Sequence, residues 1–148
     1  MLIYCVEPVG LPFEAAVPAF VRAVANSEMP LTLLKCAERP SLDALGAGTS
    51  SRLEIGAFSH GVPVEEGGRV AIPIHCTTED PSLMVVAGEV TLTRLSPKAC
   101  HLSMSSSITG RLAAGLMYNR SFQMTLELAI AGFLDRLARN MLVLDSIQ

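Results

Sequence analysis

The sequence predicts an α+β fold in which a curved antiparallel sheet wraps around a long C-terminal helix. Three observations predict it. Four runs between Leu53 and Ile108 alternate apolar and polar residues with a period of two. The segment from about Arg111 to Met141 repeats apolar residues at i, i+3 and i+4, and no proline interrupts the chain after Pro97. A short apolar run, Leu2 to Val6, ends before Pro8 and Gly10 and reads as an opening strand.

Each element can be justified in turn. After the first strand, Phe13, Val17, Phe20 or Val21, and Val24 recur at helical spacing. Pro12 suits a first turn. Pro18 lacks an amide donor and crowds the turn before it, so the segment predicts two short helices, with Pro18 opening the second. Leu31 to Cys36 fits a strand or a helix. Ser41 to Ser51, rich in Ser, Gly and Ala, predicts a loop.

The strands come next. Leu53, Ile55 and Ala57 alternate with Arg52, Glu54 and Gly56. Val70, Ile72, Ile74 and Cys76 alternate with Ala71, Pro73 and His75. Met84, Val86, Gly88, Val90 and Leu92 alternate with Glu89, Thr91 and Thr93. Cys100, Leu102, Met104 and Ile108 alternate with His101, Ser103, Ser105 and Ser107. One apolar and one polar face is the pattern of a sheet wetted on one side. Leu95-Ser96-Pro97-Lys98 predicts a hairpin turn between the last two runs. Pro73 predicts an edge strand or a bulge.

In the final helix Phe122, Leu126, Ile130, Phe133, Leu137 and Met141 share a face, opposite Arg120, Glu127, Asp135 and Arg139. A break near Asn119 with Ser121 as a new N-cap fits the same pattern. Gly115 and Gly132 each cost about 1 kcal/mol relative to Ala, which calls for a packing reason. A sheet with one apolar face must cover it. The C-terminal helix alone is long enough, so it is expected over Val86, Val90, Leu92, Cys100, Leu102 and Met104. The short helices would close one end.

Composition narrows the function. The 148 residues fit one domain spanning 1–148. Half are apolar and 17% are charged, which argues against disorder. A mean hydropathy of +0.43 points to a large core, an apolar ligand cavity or a buried subunit interface. The net charge is -3, with no basic cluster beyond the pairs around Arg136 and Arg139, which argues against nucleic acid. No apolar run reaches bilayer length. The start lacks a basic n-region and a cleavage site, so a cytoplasmic location is expected. Cys5, Cys36, Cys76 and Cys100 form no C-x-x-C pair and are expected as reduced, buried thiols.

Several stretches resemble a known family. They are Leu53-Glu54-Ile55-Gly56 with Gly61-Val62-Pro63-Val64, then Gly88-Glu89-Val90-Thr91-Leu92-Thr93-Arg94-Leu95-Ser96-Pro97, and finally Ala129-Ile130-Ala131-Gly132-Phe133-Leu134-Asp135-Arg136-Leu137-Ala138. With the order of elements, they resemble the START-like helix-grip superfamily, also called SRPBCC, which includes polyketide cyclases. The resemblance covers most of the chain and is weakest from Met29 to Ser50. It implies a deep cavity between sheet and helix for sterols, lipids or aromatic polyketides. Some members are cyclases or hydrolases, and the superfamily has no fixed catalytic motif.

The candidate sites follow from residue chemistry. His75-Cys76 and Cys100-His101 suggest zinc, but alternation puts the cysteines on the apolar face and the histidines on the polar one. Structural zinc needs four convergent ligands, so neither metal nor cofactor is expected. The shared face leaves room for Cys76 and Cys100 to lie close together in the core as free thiols. A nucleophile or base needs a positioned partner. The weak candidates are Tyr4, His60 and Tyr118. His60 would sit at a pocket mouth, although a solvated loop histidine is commoner. The tyrosines would aim hydroxyls inward, although capping by backbone is commoner. Glu54 reads as solvated, and the run Ser103 to Ser107 is not a nucleophile signature. No G-x-S-x-G, phosphate loop or dinucleotide fingerprint occurs. Met84, Met104, Met117 and Met124 are adaptable apolar side chains. The expected ligand wall is Phe20, Met84, Val86, Val90, Leu92, Met104, Tyr118, Phe122 and Leu126, which plain core packing would use equally.

Three functions result. One is a module that binds an apolar or amphipathic small molecule. Another is a cyclase- or dehydratase-like enzyme that uses Tyr4, His60 and Tyr118 in the same cavity. The third is a non-catalytic interaction subunit that forms a homodimer.

Overall fold

A computed structural model describes residues 2–26, 55–78, 82, 84–111, 114 and 120–147. Its elements are β1 (Leu2–Val9), α1 (Phe13–Ala25), β2 (Ile55–His60), β3 (Val64–Glu66), β4 (Arg69–Thr78), β5 (Val85–Ser96), β6 (Ala99–Thr109) and α2 (Arg120–Ile147). The six strands form one antiparallel sheet in the order β1-β6-β5-β4-β2, with β3 also paired to β4. The architecture is the predicted α+β, helix-grip-like one.

Register turns the alternation of each strand into rows that cross the sheet. On the inner face Cys5, Met104, Val90 and Ile72 form one row, and Glu7, Leu102, Leu92 and Val70 form the next. The outer face carries polar residues on its middle strands, such as Ser105 opposite Glu89 and His101 opposite Thr93. The inner rows, α1 and α2 bury one continuous apolar core. α2 lies over β1 and against α1, while α1 reaches β5 and β6. The core face of α2 carries Leu126, Ile130, Phe133, Leu137 and Met141, all buried. At one end of the sheet Arg94 closes onto α1. It pairs with Glu14 and stacks 5.1 Å from the ring centroid of buried Phe13.

The structure corrects four local expectations. α1 runs unbroken through Pro18, where two short helices were expected. Pro18 is exposed, so the hydrogen bond it cannot make falls on the solvent side, where the freed carbonyl is open to water. β4 is an inner strand, not an edge, despite Pro73. The strand changes partner there: β3 pairs with Arg69 to Ala71, and β2 pairs from Ile74 onward. The ladder therefore asks for no amide at Pro73, whose carbonyl instead accepts from the Gly61 amide at 2.8 Å.

In β2 a bulge between Ile55 and Ala57 shifts the alternation. Ala57 therefore pairs with Thr77, while Phe58 pairs with Cys76 on the core row. The last helix, expected to end near Met141, continues to Ile147. The expectations for residues 27–54, and the break expected near Asn119 within residues 115–119, lie outside the described residues.

Candidate functional site

The inner face and the helix above it form the candidate site. Seven of the nine expected wall residues belong to a single buried cluster. Phe20 comes from α1, Val86, Val90 and Leu92 from β5, Met104 from β6, and Leu126 from α2, while Met84 immediately precedes β5. Tyr118 lies outside the described residues, as does the side chain of Phe122.

One inner row differs from the others. It runs Ile3, Ser106, Gly88, Ile74 and His60. Its two central strands contribute only a serine and a glycine, whereas the neighbouring row has Met104 and Val90 there. Gly88 is required by the backbone itself. A Cβ at that position would meet the Ser105 carbonyl oxygen at 2.0 Å and the Ser106 Cα at 2.8 Å, so β5 and β6 approach too closely for any side chain. Ser106 is buried and donates to the Ile3 carbonyl at 3.4 Å. Sequence reading missed Ser106 because a serine inside a serine run carries no apolar signal, although its even number sets it with Met104 and Ile108.

The three catalytic candidates do not share one place. Tyr4 is 65% exposed and pairs with Ser105, on the outer face. His60 sits opposite Ile74 on an inner row, exposed at the rim where β2 ends. Its Nδ1 lies 3.4 Å from the Gly61 carbonyl. A shallow concavity of about 270 Å³ opens on the outer face, lined by Val64, Glu66, Arg69, Ala71, Pro73 and Glu89. No expected wall residue lines it. Its one described ion pair, Arg69 with Glu89 at 2.9 Å, is half exposed and contributes little.

The thiols are spread through the core. Cys76 lies opposite Val86, and Cys100 lies opposite Arg94, roughly 27 Å further along β5, so the expected closeness of the two does not occur. Their histidine neighbours pair on the outer face, His75 with Ala87 and His101 with Thr93. Cys100 donates to the Leu11 carbonyl at 3.3 Å. Burial raises the pKa of all three described thiols, and the Glu127 charge adds to the effect at Cys5. Cys76 is pushed from 9.0 to about 11.

A raised acid pKa in the folded state means that stability is intact below the unfolded value and falls as pH climbs to the folded one. Urea unfolding is therefore expected to show stability declining between pH 9.0 and about 11. Replacing Cys76 with Ser or Ala should flatten that decline. At neutral pH iodoacetamide is expected to label half-buried Cys5 well before Cys76.

No protein-family model matches the chain, and no curated protein matches it. Solved structures do. A conserved protein from Geobacillus kaustophilus is 12% identical over 95% of this chain and 95% of its own, with a TM-score of 0.51. A protein from Thermus thermophilus is 12% identical over 97% of this chain and 98% of its own, with a TM-score of 0.44. The Zhui aromatase/cyclase from a Streptomyces species is 11% identical over 92% of this chain and 94% of its own, with a TM-score of 0.30. The Geobacillus likeness is one of fold. No described helix is long and apolar enough to cross a membrane.

Proposed function

We propose that the chain binds an apolar or amphipathic small molecule, of lipid, sterol or aromatic polyketide character, between the inner sheet face and α2. The observation that carries this reading is the small-residue row. Ser106 and Gly88 leave the middle of the inner face without a bulky side chain, between the rows of Met104 and Ile108. Leu126 and Met104 supply apolar wall, and His60 marks the rim of the same row. Apolar walls with few polar groups suit retention of a hydrophobic ligand. Binding is favoured over acid–base turnover because Tyr4 and His60 lie on opposite faces, so they share no substrate. Resemblance to the START-like superfamily points the same way.

Native mass spectrometry and thermal shift with palmitate, cholesterol and anilinonaphthalene sulfonate test the reading. At least one probe is expected to bind one-to-one and raise the melting temperature. Ser106→Leu, which fills the row, should abolish that binding while the chain stays folded. If no probe is retained and Ser106→Leu unfolds the protein, the interior is already packed and the proposal fails.

A further inference from the structure

We propose that two copies of this chain pair edge to edge through β1, around a two-fold axis beside Tyr4 and Glu127. Among the described residues β1 pairs only with β6, and no described strand lies along its other edge. Folded proteins guard such edges with charges and prolines. The opposite edge of this sheet is guarded, by Pro63, Glu65 and Glu66 at β3. From Leu2 to Val6 β1 has neither. Its outward side chains are instead Leu2, Tyr4 and Val6, which are 82%, 65% and 50% exposed.

A second apolar stripe flanks the same edge from the helix side. The Cys5 thiol donates to the Glu127 carbonyl of α2 at 3.8 Å. Met124, Leu128 and Ala131 lie within one turn of Glu127 on that flank, and Met124 and Leu128 are 55% and 70% exposed. Gly132 beside them is exposed, and a Cβ built there meets no described atom within 4 Å. A glycine that weakens its own helix by about 1 kcal/mol without relieving an internal contact leaves room for something outside.

A second copy is the occupant that fits both stripes. With Tyr4 opposite its equivalent, Leu2 meets the partner's Val6, and Ile3 meets the partner's Cys5. Both sheet faces then continue across the junction. The same axis sets Met124 against the partner's Ala131. Paired across the axis, Leu2, Tyr4 and Val6 cover one another's flanks while their outer sides stay in solvent. The α2 stripe, where Met124 and Leu128 close over the partner's Ala131 and Gly132, and the strand backbone supply the rest of the roughly 800 Å² per partner of a stable interface. A contact that is self-complementary closes at two copies.

Light scattering on the full chain at high micromolar concentration is expected to give twice 15.7 kDa. Tyr4→Lys on β1 and Leu128→Glu on α2 should each weaken association by at least about tenfold, since the first sets two lysines directly opposite each other across the axis and the second puts a carboxylate into the apolar stripe. Both side chains are exposed in the monomer, so circular dichroism should not change. Val143→Glu, exposed roughly 22 Å further along α2 than Leu128, should leave the mass unchanged. Amides of β1 should exchange more slowly in the dimer than after dilution. A monomeric wild type, a mass that grows without limit, a dimer indifferent to both variants, or β1 amides unaffected by dilution would each overturn the proposal.

Discussion

Gly88→Ala is expected to lower the unfolding free energy by about 3 kcal/mol or more, at the upper end of overpacking costs. Most overpacking is absorbed by neighbouring side chains that rotate away. Here the nearest atoms are the Ser105 carbonyl oxygen, the Ser105 carbonyl carbon and the Ser106 Cα, all backbone. Relief requires β5 and β6 to separate at the centre of the sheet, which breaks ladder bonds between the two most extensively paired strands. In a chain of this size about 3 kcal/mol lowers the melting temperature by roughly 10 °C. A fall of only one or two degrees would show that the strands part easily there. Gly132→Ala makes the contrast. The site is open and helical, so the same change is expected to stabilise by about 1 kcal/mol, and less if a second copy packs against it.

Leu102→Ala is expected to cost about 3 to 4 kcal/mol. Leu102 is fully buried on β6, between Leu92 on β5 and Glu7 on β1. Its pleated backbone is held on both sides, so the void left by the missing carbons closes poorly. Urea unfolding should give a lower midpoint and an unchanged slope. The double variant with Leu92→Ala is expected to cost less than the sum of the singles, because the two side chains face each other and would leave one shared void. A cost below about 1 kcal/mol would mean that the core at this row relaxes like a loose pocket wall.

The parts of the fold that were legible are those where local pattern and burial agree. Val70 to Cys76 and Cys100 to Met104 alternate without interruption, and each apolar member is buried as alternation requires. The hairpin at Pro97 and Lys98 was equally plain. Features that depend on a partner strand were not legible. The bulge after Ile55 shifts β2 by one position, and its local mark, Gly56, does not by itself fix the register. Pro73 signals a missing ladder bond, but a sequence does not distinguish an edge strand from a gap between two successive partners. Pro18 misled because the cost of a helical proline depends on which side its orphaned carbonyl faces.

For the candidate site, apolar spacing found the buried wall but could not tell wall from core. The catalytic candidates rested on residue type alone. Strand position, which is a tertiary fact, is what separated Tyr4 from His60.

Pro73 also divides the way the sheet comes apart. Opening free energies within one protein span from near zero to the global value, in cooperative pieces. β2 and β3 hold β4 through separate short ladders, while β4 and β5 share a continuous one. Either short strand can therefore peel away without the other and without disturbing β5. Amide exchange should be stepped on the two sides of Pro73, not graded along β4. The rim that carries His60 thus belongs to a piece of sheet that can yield first while the buried rows behind it stay closed.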